Sequence, residues 1–332
     1  MSDALLSLRG ITKSYGETEV LRGLDLDVAA GEFVTLLGPS GCGKTTTLRI
    51  IAGLESPDSG TVTLSGEDVT SLPPNRRAVN TVFQNYALFP HMSVERNIAY
   101  ALRLRGASKS EIRETVSRLL SLVRLDGYGK RMPSELSGGQ SQRIAIARAV
   151  ASGTKLLLLD EPLGALDLQL RRAMQSELKS LQKALGIAFV YITHDQEEAL
   201  SLSDRVAVMR AGTFEQIGTI TEVYESPRTA YVARFVGEAN VLRGESGSIA
   251  VRQEHVRLSA PESGASESGL RGTVTSSIFA GGQARITVEL SGGEYGGVEI
   301  VSSSVGLARN FAVGDTVNVS WGAEYAVTDD DG

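Results

Sequence analysis

The amino-acid sequence predicts an α/β domain over residues 1–238, followed by a small all-β domain over residues 239–332. Two observations support this division. In the first part, short apolar runs alternate with segments of helical periodicity, which is typical of buried parallel strands and their crossover helices. After about Gly237, glycine and serine become frequent and the helical periodicity is lost. That change favours a small barrel or sandwich of β-strands.

The first predicted elements surround a glycine-rich loop. Leu5–Leu8 and Leu24–Val28 have the alternating pattern of strands. Phe33–Leu37 is a short apolar run, and Thr45–Ala52 repeats apolar side chains at helical spacing. The glycine-rich segment Gly38–Thr45 joins this strand to this helix. A strand, a loop and a helix in this order form the setting that a phosphate-binding loop requires.

The rest of the α/β domain continues the alternation. We place a helical insertion at about residues 90–151, because two segments within it carry apolar residues at helical spacing. Two later apolar runs flank a third helical segment, as expected for parallel strands joined by a crossover helix. The predicted helices are Ser108–Leu125, Ser137–Val150 and Leu168–Leu185, the strands are Lys155–Asp160 and Ala188–Thr193, and Arg285–Leu290 and Thr316–Trp321 alternate in the all-β domain.

Composition and charge limit the classes of function. No apolar run approaches the roughly 18 residues that span a bilayer, and the N-terminus carries no secretory signal, so we expect a cytosolic chain. A single cysteine, Cys42, excludes an internal disulfide framework and a multi-cysteine zinc site. The net charge of −6 arises from Val241 onward, where 6 Arg, no Lys and 12 acidic residues occur. Without a basic stripe, no nucleic-acid partner is expected.

The segment Gly38–Thr45 matches the phosphate-loop pattern G-x-x-x-x-G-K-[ST], in which backbone N–H groups and a helix N-terminus bind phosphate oxygens. Lys44 is predicted to reach the β- and γ-phosphates of a nucleotide, and Thr45 to place its hydroxyl on Mg²⁺. An ordinary glycine-rich turn is the alternative, and the setting between strand and helix argues against it. The residues predicted to bind the nucleotide here are Gly38, Pro39, Ser40, Gly41, Cys42, Gly43, Lys44, Thr45 and Thr46.

The apolar strand Leu156–Leu159 ends in two carboxylates. Asp160 is predicted to hold Mg²⁺ through water, and Glu161 to lie beside the γ-phosphate. Glu161 is the candidate general base, because polarising the attacking water needs a carboxylate within hydrogen-bond reach of it. The alternative is a helix N-cap that is followed by Pro162 in the first turn.

A second motif, Leu136–Gln140 with the sequence Leu-Ser-Gly-Gly-Gln, lies between the phosphate loop and the acidic strand end. With this ordered set of motifs, nearly the whole chain resembles the ATP-binding subunits of ABC transporters. The resemblance implies that the nucleotide is ATP, that Mg²⁺ accompanies it, and that two copies form a homodimer with two composite sites. The signature residues that one copy offers to the ATP of the other are Ser137, Gly138, Gly139 and Gln140, with Ser137 and Gly139 as the expected contacts.

The resemblance implies further roles, one residue at a time. Tyr15 stands where an aromatic residue stacks on adenine, and Gln84 matches a glutamine that contacts Mg²⁺ and relays the nucleotide state to the membrane subunit. His194 matches a histidine that contacts the γ-phosphate, and Asp167 a loop residue at the dimer interface. A buried strand-end tyrosine and an ordinary loop histidine are the alternatives for Tyr15 and His194. The predicted catalytic residues are thus Lys44, Glu161 and His194, and the predicted Mg²⁺ ligands are Thr45, Gln84 and Asp160.

The flanks of the ATPase domain favour an importer. One ATPase cassette without fused membrane spans or a long coiled coil argues against a fused exporter, a repair ATPase and a translation factor. The C-terminal part resembles the OB-like regulatory domain, called TOBE, of importer ATPases. Segments such as Val79–Gln84 and Phe235–Glu238 are similar to those of polyamine importers, which implies spermidine or putrescine as the solute. Iron(III) and sugar importers are the alternatives within the family, and a nucleotide-gated adaptor or a P-loop kinase outside it.

The resemblance also implies a working complex. It would contain the homodimer, two transmembrane permease subunits and an extracytoplasmic solute-binding protein that acts through the permeases. The chain would then lie peripherally at the cytoplasmic side of a bacterial cell membrane.

Overall fold

A computed structural model of the chain describes residues 4–164, 168–245, 247–261, 270–280, 282–305 and 311–329. The chain divides into two compact units, residues 1–220 and residues 221–332. The first unit is α/β, and the second consists of antiparallel strands preceded by short helices. The functional domain boundary predicted at Glu238 stays a prediction. Within the described ranges, every helix is too short or too polar to cross a bilayer.

Strands and helices alternate along the first unit. The strands are β1 Leu6–Tyr15, β2 Thr18–Val28, β3 Phe33–Leu37, β4 Ser59–Leu64, β5 Glu67–Asp68, β6 Val79–Val82, β7 Leu156–Asp160, β8 Ala188–Thr193, β9 Arg205–Arg210 and β10 Thr213–Thr219. The helices are α1 Lys44–Ala52, α2 Val94–Ile98, α3 Tyr100–Leu104, α4 Lys109–Leu122, α5 Gly138–Val150, α6 Leu168–Leu185 and α7 Gln196–Leu202.

Two sheets form the framework of this unit. The larger sheet has the order β10-β9-β3-β8-β7-β6, in which β10 is antiparallel to β9 and the other neighbours are parallel. The smaller sheet is antiparallel, with the order β2-β1-β4-β5. Because β3, β7 and β8 are parallel, their carboxyl ends lie at one edge of the larger sheet. Gly38, Asp160 and His194 all lie at this edge.

Side chains of the larger sheet alternate between two hydrophobic clusters, one on each face. In β8, Val190 and Ile192 belong to the cluster that contains α1 and the smaller sheet. Phe189 and Tyr191 belong to the cluster that contains residues of α2, α4, α5 and α6. Strands β3 and β7 divide in the same way. The central strands are therefore buried on both faces, which is why they read as continuous apolar runs in the sequence.

The helical insertion predicted at about residues 90–151 contains α2, α3, α4 and α5. The helix predicted at Ser108–Leu125 spans Lys109–Leu122, because Ser108 caps its start and Arg124 leaves the helix with a φ of 55°. Helices α2 and α3 were not predicted. Each has five residues, which is too short for apolar periodicity to be visible.

The second unit confirms the expected small antiparallel β-structure. Its elements are α8 Ile220–Glu225, α9 Ala230–Phe235, β11 Ala239–Gly244, β12 Gly247–Arg252, β13 Val256–Ser259, β14 Leu270–Ala280, β15 Gln283–Ser291, β16 Glu299–Val305, β17 Thr316–Trp321 and β18 Tyr325–Val327. The two sheets have the orders β11-β12-β18 and β13-β17-β14-β15-β16, and their strand pairs are antiparallel. The predicted loop at residues 261–269 lies, apart from Pro261, outside the described residues.

A buried arginine connects the helices of the second unit to strand β12. Arg252 is 1% exposed, and its guanidinium donates to main-chain carbonyl oxygens of α8, of α9 and of the turn that follows α9. These acceptors belong to Tyr224, Ala233, Val236 and Gly237. Burial lowers the pKa of Arg252. The four carbonyl oxygens offset part of the cost of burying its charge.

Candidate nucleotide site

The phosphate loop connects β3 to α1, and close contacts require two of its glycines. A Cβ atom on Gly38 would lie 2.4 Å from the carbonyl oxygen of Met209, and one on Gly43 would lie 2.6 Å from Cδ2 of Leu21. Gly43 also has a φ of 107°, a conformation that disfavours any side chain. Because α1 begins at Lys44, the first backbone N–H groups of this helix have no intrahelical acceptor. They are available to phosphate oxygens.

Lys44 carries its charge inside this loop. The residue is 5% exposed. Its Nζ donates to the carbonyl oxygens of Gly38 at 2.7 Å and Pro39 at 2.8 Å. These carbonyls partly offset the cost of burying an ammonium group. The loop therefore holds a fixed positive charge, which suits an anionic ligand.

Two candidate catalytic side chains meet beyond the ends of β7 and β8. Nδ1 of His194 lies 3.3 Å from Oε1 of Glu161. The backbone of Glu161 is left-handed, with a φ of 44°, and its N–H donates to the carbonyl oxygen of Ile192 at 3.2 Å. The Glu161 carbonyl in turn accepts from the N–H of Gly164 at 3.1 Å. The strand end is thus held in a tight turn that directs the carboxylate toward His194.

Glu161 shares a cavity with the phosphate loop. The cavity has a volume of about 350 Å³. Lys44 and Glu161 both line it, so a positive charge and a carboxylate that can orient or deprotonate water face the same space. The cavity is lined by Val20, Ser40, Gly41, Gly43, Lys44, Thr45, Thr46 and Glu161.

The residues around Asp160 fit Mg²⁺. Burial and then the neighbouring carboxylate of Glu161 raise the pKa of Asp160, so a cation would relieve the repulsion between the two carboxylates. Asp160 and Gln84 line one cavity, and Thr45 lines the cavity of Glu161, so oxygen donors of the kind that Mg²⁺ prefers are present. In the described part of the chain, no cluster of three His, Cys, Asp or Glu residues could hold a metal unaided. This donor set matches an ion shared with substrate phosphates.

Comparisons with known proteins agree with this geometry. Residues 21–164 match the family model "ABC transporter", and residues 249–328 match the model "TOBE domain". The spermidine/putrescine import ATP-binding protein of Marinobacter nauticus is 46% identical over 97% of this chain and 94% of its own length. The protein of the same name from Thermobifida fusca is 44% identical, over 97% and 92%, and that from Bacillus cereus 43% identical, over 98% of both chains. The chain belongs to the ABC transporter ATP-binding protein family.

Family membership confirms the resemblance drawn from the motifs, and with it the fold class. The chain is an ATPase subunit coupled to transport, built from an ABC-type ATP-binding domain and a TOBE domain. The roles of individual residues in the ABC site stay predictions.

The ABC signature segment, Leu136–Gln140, leads into α5, which begins at Gly138. Ser137 caps the helix, since its Oγ accepts from the Gln140 N–H at 3.3 Å while Oε1 of Gln140 accepts from the Ser137 N–H at 3.0 Å. Ser137 and Gly138 are exposed, and Gly139 is buried, where a Cβ atom would lie 2.8 Å from Sδ of Met174. The described lining of the Lys44 cavity includes no residue of this segment. Ser137 and Gly138 are therefore exposed to a second copy, whereas Gly139, the other expected contact, is buried.

Gln84 follows β6 and lies close to the acidic strand end. A Cβ atom on Gly164 would be 3.4 Å from Nε2 of Gln84 and 3.4 Å from the carbonyl oxygen of Glu161. Gln84 and Asp160 line the same cavity of about 610 Å³. The structure thus brings Gln84, Asp160 and Glu161 together, as the motifs predict.

The loop after Gln84 is held by Arg148, a residue that the sequence motifs do not identify. Tyr86 and Ala87 both have left-handed backbones, with φ values of 59° and 44°. Arg148 of α5 donates from Nη2 to the Tyr86 carbonyl oxygen at 3.1 Å and from Nη1 to the Ala87 carbonyl oxygen at 2.6 Å. A left-handed backbone is usually indicated by Gly or Asn, and neither residue is present at these two positions, so the sequence does not predict this turn. Arg148 thus connects the signature helix to the Gln84 loop.

Tyr15 is among the predicted site residues that do not line the cavity of Lys44 and Glu161. Tyr15 ends β1 and is 45% exposed, and Nζ of Lys13 lies 5.4 Å from the centre of its ring. Stacking of Tyr15 on adenine stays a prediction, and Val20 lines the cavity from the neighbouring strand. Asp167, predicted at the dimer interface, lies outside the described residues.

Proposed function

We propose that this chain hydrolyses ATP to drive the import of a polyamine, spermidine or putrescine, through partner permease subunits. One observation carries the choice of solute. The relatives from Marinobacter, Thermobifida and Bacillus carry the name of a spermidine/putrescine import ATP-binding protein, and the similarity extends over more than nine tenths of both chains in each pair. The match includes the TOBE domain, so it is not restricted to the ATPase motifs.

In the proposed reaction, the phosphate loop binds the triphosphate through backbone N–H groups and Lys44. Glu161 accepts a hydrogen bond from a water molecule and takes its proton as the water oxygen bonds to the γ-phosphorus. The bond from that phosphorus to the bridging oxygen breaks, and ADP leaves with the electron pair. His194 orients the Glu161 carboxylate through the contact of 3.3 Å between Nδ1 and Oε1.

Thr45, Gln84 and Asp160 would hold Mg²⁺ in this scheme. The ion would neutralise charge on the β- and γ-phosphates. Burial and then the neighbouring carboxylate of Glu161 raise the pKa of Asp160, so a nearby cation would stabilise its charged form, which supports the assignment.

The proposed working unit is a homodimer. Ser137, Gly138, Gly139 and Gln140 of one copy would complete the site of the other, with Asp167 at the interface. This arrangement is supported by the exposure of Ser137 and Gly138 at the start of α5. Two permeases and an extracytoplasmic solute-binding protein would complete the transporter, so this chain would lie peripherally at the cytoplasmic side of a bacterial membrane. The acidic C-terminal part gives no support for a nucleic-acid partner.

The test is ATP hydrolysis by the complete transporter in lipid vesicles, with its binding protein loaded by spermidine, putrescine, iron(III) or maltose. We expect stimulation and solute uptake with a polyamine, and neither with Glu161→Gln. Stimulation by another solute alone would overturn the polyamine assignment. No stimulation despite intact permease binding would overturn the transport function itself and favour a nucleotide-gated adaptor.

A further inference from the structure

The exposed ring of His194 lies on a short turn between β8 and α7. Thr193 is the last residue of β8, and Asp195 is the N-cap of α7. The His194 side chain is 59% exposed, so packing against neighbours leaves much of the ring free. Its distance of 3.3 Å to Glu161 therefore depends on the backbone of the turn that carries it.

A buried hydroxyl bridges the two residues that flank His194. Thr193 is 3% exposed, and its Oγ1 accepts from the N–H of Asp195 at 2.9 Å. The same hydroxyl donates to Oε2 of Glu198 at 2.7 Å. A hydroxyl has one proton, and giving it to the carboxylate leaves the lone pairs of Oγ1 for the Asp195 N–H. The backbone on both sides of His194 is thus joined through a side chain of fixed orientation.

Glu198 is a buried carboxylate that the proposed hydrolysis does not use. It is 2% exposed, and its Oε2 accepts from the hydroxyls of Tyr191 and Thr193, each at 2.7 Å. Burial raises the pKa of Glu198, while these two donors favour its charged form. Nε of Arg171 lies 3.8 Å from Oε1 of Glu198. A carboxylate held in this way determines the direction in which the Thr193 hydroxyl points.

The far side of the turn is held from α6. Oδ2 of Asp195 accepts from Nη1 of Arg171 at 3.0 Å, and Oδ1 accepts from the N–H of Glu198 at 3.2 Å. Asp195 is therefore fixed by a charged partner as well as by its capping hydrogen bond. His194 lies between two anchored residues, and Oγ1 of Thr193 connects them.

We propose that Thr193 is a positioning residue for His194, and that Glu198 holds the Thr193 hydroxyl in its bridging orientation. The inference rests on the proposed function, because a fixed His194 serves to orient Glu161 during hydrolysis. Without the hydroxyl, the N–H of Asp195 loses this acceptor and the turn can change its backbone angles. A small shift of the turn would lengthen the contact between Nδ1 of His194 and Oε1 of Glu161.

Strand β8 offers a matched pair of variants. Thr193→Val and Tyr191→Phe each remove one hydrogen bond of 2.7 Å to the same oxygen of Glu198. Both replacements keep the approximate size of a buried side chain. Only Thr193→Val also removes the bond to the Asp195 N–H, so only this variant should release His194. Thr193→Ser keeps the hydroxyl and should behave like the wild type.

The first measurement uses the full chain with ¹³C at Cε1 of its three histidines, His91, His194 and His255. The His194 resonance is assigned by its absence in His194→Gln. We expect this resonance to shift in Thr193→Val and to stay in place in Tyr191→Phe and Thr193→Ser. His255 lies in the second unit and serves as the reference. No ATP is present, so this outcome does not depend on the proposed function.

The second measurement is ATP hydrolysis by the complete transporter in lipid vesicles. Thr193→Val should lower kcat about tenfold, because a misplaced group loses much of its effect on the reaction. KM for ATP should stay near the wild-type value, since neither Thr193 nor Glu198 belongs to the described lining of the Lys44 cavity. Tyr191→Phe should leave both constants nearly unchanged. Adding Thr193→Val to His194→Ala should cause no further fall in kcat, since Thr193 acts only through His194.

An unshifted His194 resonance in Thr193→Val would overturn the positioning role. Equal effects of Thr193→Val and Tyr191→Phe on the resonance and on kcat would also overturn it, because the carboxylate network would then act on the fold alone. A wild-type transporter without ATPase activity would overturn the proposed function instead, and the histidine resonances would still decide whether Thr193 positions His194.

Discussion

Glu161, in the turn after β7, contacts the side chain of His194, which follows β8, with 3.3 Å between Oε1 and Nδ1. The left-handed backbone of Glu161 has a cost of about 1–3 kcal/mol in a non-glycine residue. The hydrogen bonds of its N–H to Ile192 and of its carbonyl to Gly164 maintain this conformation. The structure therefore places the candidate base rigidly, and His194 restrains the carboxylate further.

Replacing Glu161 by Gln should separate binding from hydrolysis. The amide keeps the size of the side chain but cannot take a proton from water, so kcat should fall by about 10²–10⁴-fold. ATP affinity, measured by isothermal titration calorimetry, should stay near that of the wild type, because Lys44 and the loop N–H groups are unchanged. A variant with normal turnover would remove Glu161 from the role of base.

The two glycines Gly43 and Gly41 offer a matched comparison. Both have positive φ, but a Cβ atom on Gly43 would lie within 3 Å of Leu21 and Met209, whereas one on Gly41 would meet no atom within 4 Å. Gly43→Ala should lower the free energy of unfolding by about 2 kcal/mol or more, and Gly41→Ala by about 1 kcal/mol. Urea unfolding without nucleotide measures both. Equal decreases in the free energy of unfolding would show that the close contacts at Gly43 do not destabilise the alanine variant.

Arg148→Ala should destabilise the turn at Tyr86 and Ala87. The variant loses two hydrogen bonds from a charged donor. Because these bonds are partly exposed, the free energy of unfolding should fall by about 2 kcal/mol. Arg148→Lys should recover little, because one ammonium cannot reproduce the two-armed geometry. Thermal unfolding measures stability, and hydrogen exchange of the loop amides measures its order. Arg118→Ala, at an exposed site of α4, is the control, and an Arg148→Ala protein with the same loop protection would contradict the assignment.

The stability of the second unit should fall at alkaline pH. Burial, and then the hydrogen bond to Glu254, raise the pKa of Tyr224 from 10.0 to about 12. Below pH 10 the Tyr224 hydroxyl is protonated in the folded and in the unfolded state, so it makes its full contribution to the free energy of unfolding. Between about pH 10 and 12 the unfolded chain releases the proton first, and stability decreases.

The measurement is urea unfolding followed by the fluorescence of Trp321, the single tryptophan, which lies in β17. Tyr224→Phe should flatten the pH dependence between about pH 10 and 12. An unchanged slope in this variant would assign the loss of stability to another group.

Much of the site could be predicted from the sequence because strand ends have a topological meaning. Apolar runs identify β3, β7 and β8, and parallel pairing brings their carboxyl ends to one edge. The phosphate-loop motif identifies Lys44, the strand-end rule identifies Asp160, and the resemblance to ABC ATPases identifies His194. The contact of Glu161 with His194 could not be predicted, since it depends on a left-handed residue that is not glycine.

Other features had no sequence signal at all. Arg148 lies on an ordinary helix and acts through main-chain carbonyls of a distant loop, so neither periodicity nor composition identifies it. Gln142 likewise looks like a polar residue of the signature helix, and only the packing of α5 against α6 shows that it is buried. Tertiary contacts of this kind depend on the arrangement of several elements and are not encoded in local patterns.

The register of the larger sheet has a consequence for how this protein can change. Leu37 pairs with Thr193 across β3 and β8, and Asp160 pairs with Ile192 across β7 and β8. Deleting one residue within β8 would draw His194 back by about 3.3 Å and exchange the faces of Val190 and Tyr191. We therefore expect that neither evolution nor engineering can change the length of β8 without loss of the site. Substitutions and changes in the loops can alter the edge at the carboxyl ends of β3, β7 and β8. The distances between its functional groups, in contrast, are fixed by the pairing of these strands.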